Sequence, residues 1–182
     1  ENIKKKLINY TSKNDLFNDM IKMQIKEPLE EIKLKGSIKS IKVISDDVSK
    51  KVRDQYEENP YPRWRYANKS VIANFFLHLN SEIKPNYIKF NNNFLNPNVL
   101  IAGCGTGQQL VNAIGYQNST IIGVDLSLTS LAYAKRKIDE LGAKNVELIQ
   151  GDILHLKNLN KKFDVIECGG VLHHMNEPLE GL

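Results

Sequence analysis

The chain has 182 residues, 41% of them apolar and 25% charged. That length supports one domain with a hydrophobic core and a smaller helical attachment, and that composition excludes collagen, coiled-coil rods and whole-chain disorder. The formal net charge of +4 is too small, and its cations too scattered, to mark a nucleic-acid surface.

No stretch reaches the roughly 18 apolar residues a membrane span requires; the apolar-rich run at 71–79 is interrupted by Asn74 and His78. Two cysteines, Cys104 and Cys168, cannot build a disulfide scaffold, so a reducing, cytoplasmic setting is expected. The sequence opens on Glu1 without an initiator Met, shows no signal peptide and stops at Leu182 as a new helical pattern begins, so it reads as a fragment. Before residue 99 there are 18 Lys and Arg against 12 Asp and Glu; from 99 onward there are 7 against 9. Ten of the 11 glycines also lie at or beyond Gly103. Both shifts place a seam near residues 96–98, dividing a helical lead-in (1–96) from a core (97–182).

In chain order, Leu16, Phe17, Met20, Ile21 and Gln24 predict a helix that must end before Pro28. A short second helix follows, with Pro28 in its first turn, Gly36 at its end, and Leu29 and Ile32 as its apolar edge. Residues 46–56 fit another helix, with Val48, Val52 and Tyr56 spaced four apart. Ser70 is suited to cap a further one carrying Ile72, Phe75, Phe76 and Leu79. The triple Asn at 91–93 reads as a loop.

Between these helices, residues 55–66 stand apart. Pro60 and Pro62 forbid helix and stiffen an extended backbone that carries Tyr56, Tyr61, Arg63 and Trp64, the only tryptophan. Two readings remain open. The segment is either a brace whose aromatics cover the core, or a pre-ordered flap that turns aromatic faces and a cation toward a ligand.

From residue 98 the pattern changes to short apolar runs alternating with helices. Strands are expected at 99–102, 120–124, 146–149 and 163–166, with helices at 108–115 and from a Ser127 cap to Gly142. Such alternation gives right-handed βαβ units and a Rossmann-like α/β parallel sheet. The expected strand order is 3-2-1-4, which leaves the fourth strand at an edge. Ligands of such sheets bind beyond the carboxyl ends of the strands. All the unusual residues lie there: the loop Gly103, Cys104, Gly105, Thr106 and Gly107, then Asp125, Asp152 and the segment 167–174.

A glycine loop between strand and helix lets bare backbone approach a ligand, although it can equally serve packing alone. Its spacing is G-x-G-x-G, and Gln108 stands where a dinucleotide fingerprint wants its third glycine. Asp125 ends the second strand, where a carboxylate can accept both hydroxyls of a ribose or cap the next helix. Asp152 could accept an adenine amino group or cap a helix. Together with the loop, the two aspartates describe an adenosine-shaped slot.

The stretches VLIAGCGTG at 99–107, IGVDLS at 122–127, QGDI at 150–153 and FDVIECGGVLHHM at 163–175 resemble the class I methyltransferases that use S-adenosyl-L-methionine. The segment 48–66, with YEENPYPRW at 56–64, resembles the lead-in of a bacterial group of these enzymes often joined to tetratricopeptide repeats. The resemblance implies that Gly103, Gly105 and Gly107 admit the methionine part of the cofactor and that Asp125 binds the ribose, with Leu126 against the adenine. It further implies that Asp152 and Ile153 hold the adenine edge and face, and that Cys168 and Gly169 line the methionyl side. The family sheet has seven strands, of which four are readable here. No metal is implied, the methyl acceptor is unidentified, and a repeat domain outside these residues is a possible partner.

One departure stands out. The family carries an acidic residue two positions before the first loop glycine, and this chain has Ile101 there. That carboxylate helps to hold the cofactor's amino group, and Gln108 or Glu167 are the residues suggested to compensate. His173 and His174 follow the fourth strand; His173 is a candidate base for the acceptor, with packing as the alternative role. The resulting expectation is an S-adenosylmethionine-dependent methyltransferase. Its rivals are a non-catalytic cofactor-binding module and, disfavoured by Gln108, a nicotinamide-dependent oxidoreductase.

Overall fold

The computed structural model describes residues 2–67, 71–89 and 95–182. Two apolar runs, β2 (Asn98–Ala102) and β3 (Thr120–Asp125), form the middle of a parallel sheet, in register from Asn98 against Thr120 to Ala102 against Val124. Near-continuous Val, Leu and Ile suit strands buried on both faces. Outside β3 lies β4 (Val146–Gln150), and outside β2 lies β5 (Val165–Glu167). These four strands take the expected order.

The sheet also has a fifth, unexpected strand from the lead-in. β1 (Lys39–Ser40) pairs in parallel with Ile149 and Gln150 and covers the outer edge of β4, giving the order β1-β4-β3-β2-β5. Ser40 Oγ donates to Gln150 Oε1 at 2.7 Å, and the Ile41 amide donates to the Gln150 carbonyl at 2.9 Å. At the other edge, β5 pairs only with β2 among the described residues, and Ile166 is 63% exposed.

On one face of the sheet, α6 (Gln108–Ile114) and α7 (Leu128–Leu141) bury Leu110, Ala113, Leu131, Ala134 and Ile138 against Val99, Ile101 and Ile121. On the other, Leu100, Ala102, Ile122, Val124 and Ile149 pack with Ile153, Leu156, Phe163 and Cys168. The expected limits of α7 hold: Ser127 Oγ accepts the Ser130 amide, and Gly142 adopts a φ of 73°. Phe163 lies before β5 and packs on the second of these clusters instead of continuing the strand.

The lead-in departs further from expectation. After α1 (Asn2–Asn9), α2 (Asp15–Ile21) does not end in a break before Pro28 but passes through a π-helical turn (Lys22–Lys26) directly into α3 (Glu27–Lys35). In that turn the Glu27 amide donates to the Lys22 carbonyl, five residues back. The wider turn relieves the ring-against-carbonyl clash that proline imposes in an α-helix, and the early position of Pro28 in α3 tolerates the missing N–H.

The buried side of α3 is also not the apolar one. Ile32 is exposed, whereas Glu31 is 4% exposed, facing Arg136 of α7, itself 2% exposed. Arg136 Nε donates to Glu31 Oε1 at 3.0 Å, Nη1 donates to Glu140 at 2.5 Å, and Nη2 lies 3.3 Å from Glu27 Oε2. A second clamp joins the next helix, α4 (Asp47–Glu58), to α7: Glu57 accepts from the Thr129 hydroxyl at 2.5 Å and from Lys35 at 3.1 Å. α5 (Phe75–Glu82) starts later than expected, capped by Asn74, which leaves Ile72 exposed and outside the helix. Phe75 meets Tyr116 edge to face. Ser70 and residues 91–93 lie outside the described residues. No described helix is long and apolar enough to cross a membrane.

Candidate active site

A cavity of about 420 Å³ opens over the carboxyl ends of β2, β3 and β4, where the chain leaves β2 in one direction and returns to its other side through β5. This is the switch point at which open α/β sheets bind ligands. One wall is the loop after β2, contributing Gly103, Cys104, Gly105 and Thr106. The next two strand ends add Asp125, Leu126, Asp152 and Ile153, and Gly169 and His173 follow β5.

Asp125 is fixed by backbone donors. Its Oδ2 accepts the Gly105 amide at 2.8 Å and its Oδ1 accepts the Ser127 amide at 2.9 Å. Each oxygen keeps a further lone pair for a ligand hydroxyl. Burial raises the Asp125 carboxyl above its ordinary range, against the opposing pull of the Ser127 and Gly105 amides. Capping of α7 itself falls to Ser127, as its sequence position suggested. Asp152 is 2% exposed; Oδ1 accepts the Leu154 amide at 3.0 Å, while the buried Oδ2 has no partner among the described residues. A buried carboxylate oxygen lacking a donor, on a residue that lines the cavity, is matched by a ligand that brings one.

The lead-in supplies the facing wall. Ser49, Val52 and Tyr56 share the cavity face of α4, and Tyr61 and Pro62 follow. Thr106 Oγ1 donates to the Pro62 carbonyl at 2.6 Å, tying this segment to the glycine loop. The extended backbone then divides its side chains. Tyr61 borders the cavity, whereas Arg63 and Trp64 turn toward α7. Arg63 pairs with Glu31 at 3.2 Å and lies 4.7 Å from the Tyr133 ring centroid, so its cation serves the brace and is not offered to a ligand. The Trp64 indole N–H donates to the Thr106 carbonyl at 3.1 Å, and the Tyr133 hydroxyl donates to the Trp64 carbonyl. Within 55–66, then, Tyr56 and Tyr61 border the cavity while Arg63 and Trp64 form the brace.

Two further expected residues are absent from the lining. Gly107 has a φ of 90°, and a Cβ there would come within 2.9 Å of Ala134 Cβ, so this glycine lets α6 pack on α7. Cys168 packs its side chain on the cluster below the sheet, and burial raises its thiol pKa. Cys104 lines the cavity, but its side chain belongs to the core between sheet and helices, where burial and then Asp125 hold the thiol well above its ordinary range.

Sequence reasoning missed Ser49, Gln109, Ser130 and Met175, which border the cavity together with His174. The helical spacing of Ser49 with Val52 and Tyr56 was available as a signal; the others depend on tertiary placement. His173 stands exposed at the rim with its ring centroid 4.0 Å from that of His174, which in turn meets Tyr56 edge to face. Burial, then the neighbouring His173, lowers the His174 pKa, so it is neutral near pH 7.

Comparison with known proteins bears directly on this cavity. The family described as "Methyltransferase domain" matches residues 95–182, the segment that supplies every strand-end loop of the site. Residues 95–182 are thus similar to a methyltransferase domain. An uncharacterized protein of Rickettsia prowazekii is 31% identical over 73% of this chain and 51% of its own length. A ubiquinone biosynthesis O-methyltransferase of Aliivibrio fischeri is 30% identical over 57% of this chain and 44% of its own. Among solved structures, PKMT2 from Rickettsia typhi in complex with AdoHcy is 40% identical over 44% of this chain and 16% of that chain, with a TM-score of 0.41. The chain spans 20% and 51% of the first two curated relatives.

The cavity carries groups whose chemistry fits an adenosine. Asp125 offers a paired acceptor for ribose hydroxyls, and the unpartnered Asp152 Oδ2 offers one for an amino group on adenine. Leu126 and Ile153 supply apolar faces on either side.

Proposed function

We propose that this chain binds S-adenosylmethionine in the strand-end cavity and delivers its methyl group to an acceptor admitted beside Tyr56, Tyr61 and His173. The observation that carries this reading is the pairing of Asp125, held by two backbone amides, with a buried and unpartnered Asp152 Oδ2 in one cavity. In this reading Asp125 binds the ribose, Asp152 and Ile153 the adenine, and backbone at Gly103, Gly105 and Gly169 the methionine portion. When bound, the cofactor supplies a methyl already activated by sulfonium charge, which leaves with its bond to sulfur broken and S-adenosylhomocysteine as the by-product.

What remains for the chain is positioning and exclusion of water. Tyr56 and Tyr61 offer aromatic faces beside the cationic centre. His173, exposed at the rim, is assigned to the acceptor side, where an imidazole can take the proton an acceptor loses. The segments 1–96 and 97–182 act as lead-in and core of one site, with Thr106 to Pro62 and Trp64 to Thr106 as their links. The two free thiols suit a reducing cytoplasm.

Isothermal titration with S-adenosylhomocysteine and, separately, with NAD tests this reading. Saturable binding of S-adenosylhomocysteine alone is expected. Binding of NAD alone would restore the oxidoreductase alternative, and binding of neither would remove the cofactor reading.

A further inference from the structure

We propose that Gln109 accepts the α-ammonium group of the cofactor's methionine portion through its side-chain oxygen, replacing the carboxylate that Ile101 denies the site. The inference rests on the cavity being an S-adenosylmethionine site. Ile101 is fully buried among Val99, Leu110 and Tyr116, on the side of the sheet covered by α6 and α7, and offers no polar atom. The two residues that sequence suggested as substitutes do not fill the gap. Gln108 is exposed. Glu167, directly beside Ile101 on β5, accepts the Tyr116 hydroxyl at 2.6 Å and does not line the cavity.

Gln109 does line it. Its Nε2 donates to the Gly169 carbonyl at 3.4 Å, and its Oε1 is buried without a hydrogen-bond partner among the described residues. Turning the amide over would set its oxygen against the Gly169 carbonyl, two acceptors face to face, so the contact with Gly169 fixes which end remains free. The space at residue 169 bears on the same contact. A Cβ at residue 169 would collide with Gln109 Nε2, so glycine at 169 is what allows the amide to reach into the space between the loop after β2 and the loop after β5. A buried acceptor with no donor, seated between the two loops assigned to the methionine portion, is complementary to a primary ammonium, which has three donors and no acceptor.

The test is a double-mutant cycle in which one change is made in the ligand. S-adenosylhomocysteine and its deamino analogue are titrated into the parent chain, Gln109→Met and Gln109→Glu, with folding checked by circular dichroism. The parent is expected to prefer S-adenosylhomocysteine by about tenfold, Gln109→Met to bind both alike, and Gln109→Glu to regain the preference. A parent that binds both equally overturns the proposal, and that comparison stands even where a variant fails to fold. So does a preference that persists in Gln109→Met. A parent that binds neither ligand removes the reading of the cavity itself, an outcome distinct from loss of discrimination.

Discussion

The sheet core and the helical lead-in differ in how much hydrocarbon they bury. In the core, most of the side chains taken fully out of water are those the sequence marks as apolar, among them Val99, Ile101, Ile121, Val124, Leu110 and Leu131. The lead-in buries few apolar side chains, Ile21 and Ile44 among them. In the lead-in, apolar positions of the helical stripes such as Leu16, Met20 and Ile32 are exposed, while Glu31 is buried against Arg136 from the core. Burial of hydrocarbon holds the sheet together, and a network of charges adds to the smaller apolar contacts of Ile38 and Ile41 in holding the lead-in on it. Apolar burial is non-directional and tolerates sliding, whereas Arg136 with Glu31, Glu27 and Glu140 fixes one register of α3 on α7. Tyr56, Tyr61 and Pro62 of the lead-in face the loop after β2 across the cavity.

The sharpest way to break this comparison is to remove one side of the charge network. Glu31→Ala leaves Arg136 buried with fewer partners and is expected to cost about 3–5 kcal/mol in chemical denaturation. Replacing both residues by apolar ones of similar volume should recover much of that loss. A Glu31→Ala cost near zero would mean that the lead-in is held by something other than charge.

A change in the site should act on binding first. Asp125→Ala removes charge-assisted hydrogen bonds worth about 1.5–3 kcal/mol each, so S-adenosylhomocysteine affinity should fall at least about tenfold in the folded variant. Unchanged affinity by calorimetry would remove Asp125 from the ribose site. Asp152→Asn keeps an acceptor for the Leu154 amide and turns the free oxygen into a donor. A loss of about tenfold for adenosine ligands is expected, with unfolding midpoints nearly unchanged. Equal affinity would argue against an adenine amino group at Asp152.

The smallest effect is one of sign, and it distinguishes the two regions by pH. Burial pushes the Glu57 carboxyl up, but hydrogen bonds from Thr129 and Lys35 outweigh it and hold the group below its ordinary range. Its contribution to stability is therefore present above the unfolded-state pKa and lost as pH falls through the lower folded value. Asp125 is raised by burial, so its protonated form favours folding below the unfolded-state pKa, and that contribution is lost as pH rises through the folded value. Glu57→Gln should flatten the acid-side fall in stability, and Asp125→Asn should steepen it. S-adenosylhomocysteine, whose ribose hydroxyls need the ionised carboxylate, should bind more weakly as pH drops through the raised Asp125 value. Slopes of the same sign for both variants would contradict the assignment.

The same contrast explains what the sequence made legible. Strands β2 to β5, their order and the loop residues Gly103, Gly105, Asp125 and Asp152 follow from local signals, because apolar runs and turn glycines act over a few residues. β1 is two residues long, Lys39 and Ser40, and becomes a strand only because β4 presents an open edge. The burial of Glu31 and the turning of Arg63 away from the cavity both depend on Arg136 and Tyr133, 70 or more residues away. Gln109 was passed over because its importance arises from Gly169, on another strand-end loop.

The central claim is that lead-in and core build one cofactor site, and amide hydrogen exchange with and without S-adenosylhomocysteine tests it most directly. Ligand binding should slow exchange in residues 49–62 of the lead-in together with residues 103–109, 125–130 and 151–153 of the core. Protection confined to the core loops, with 49–62 unchanged, would contradict the account.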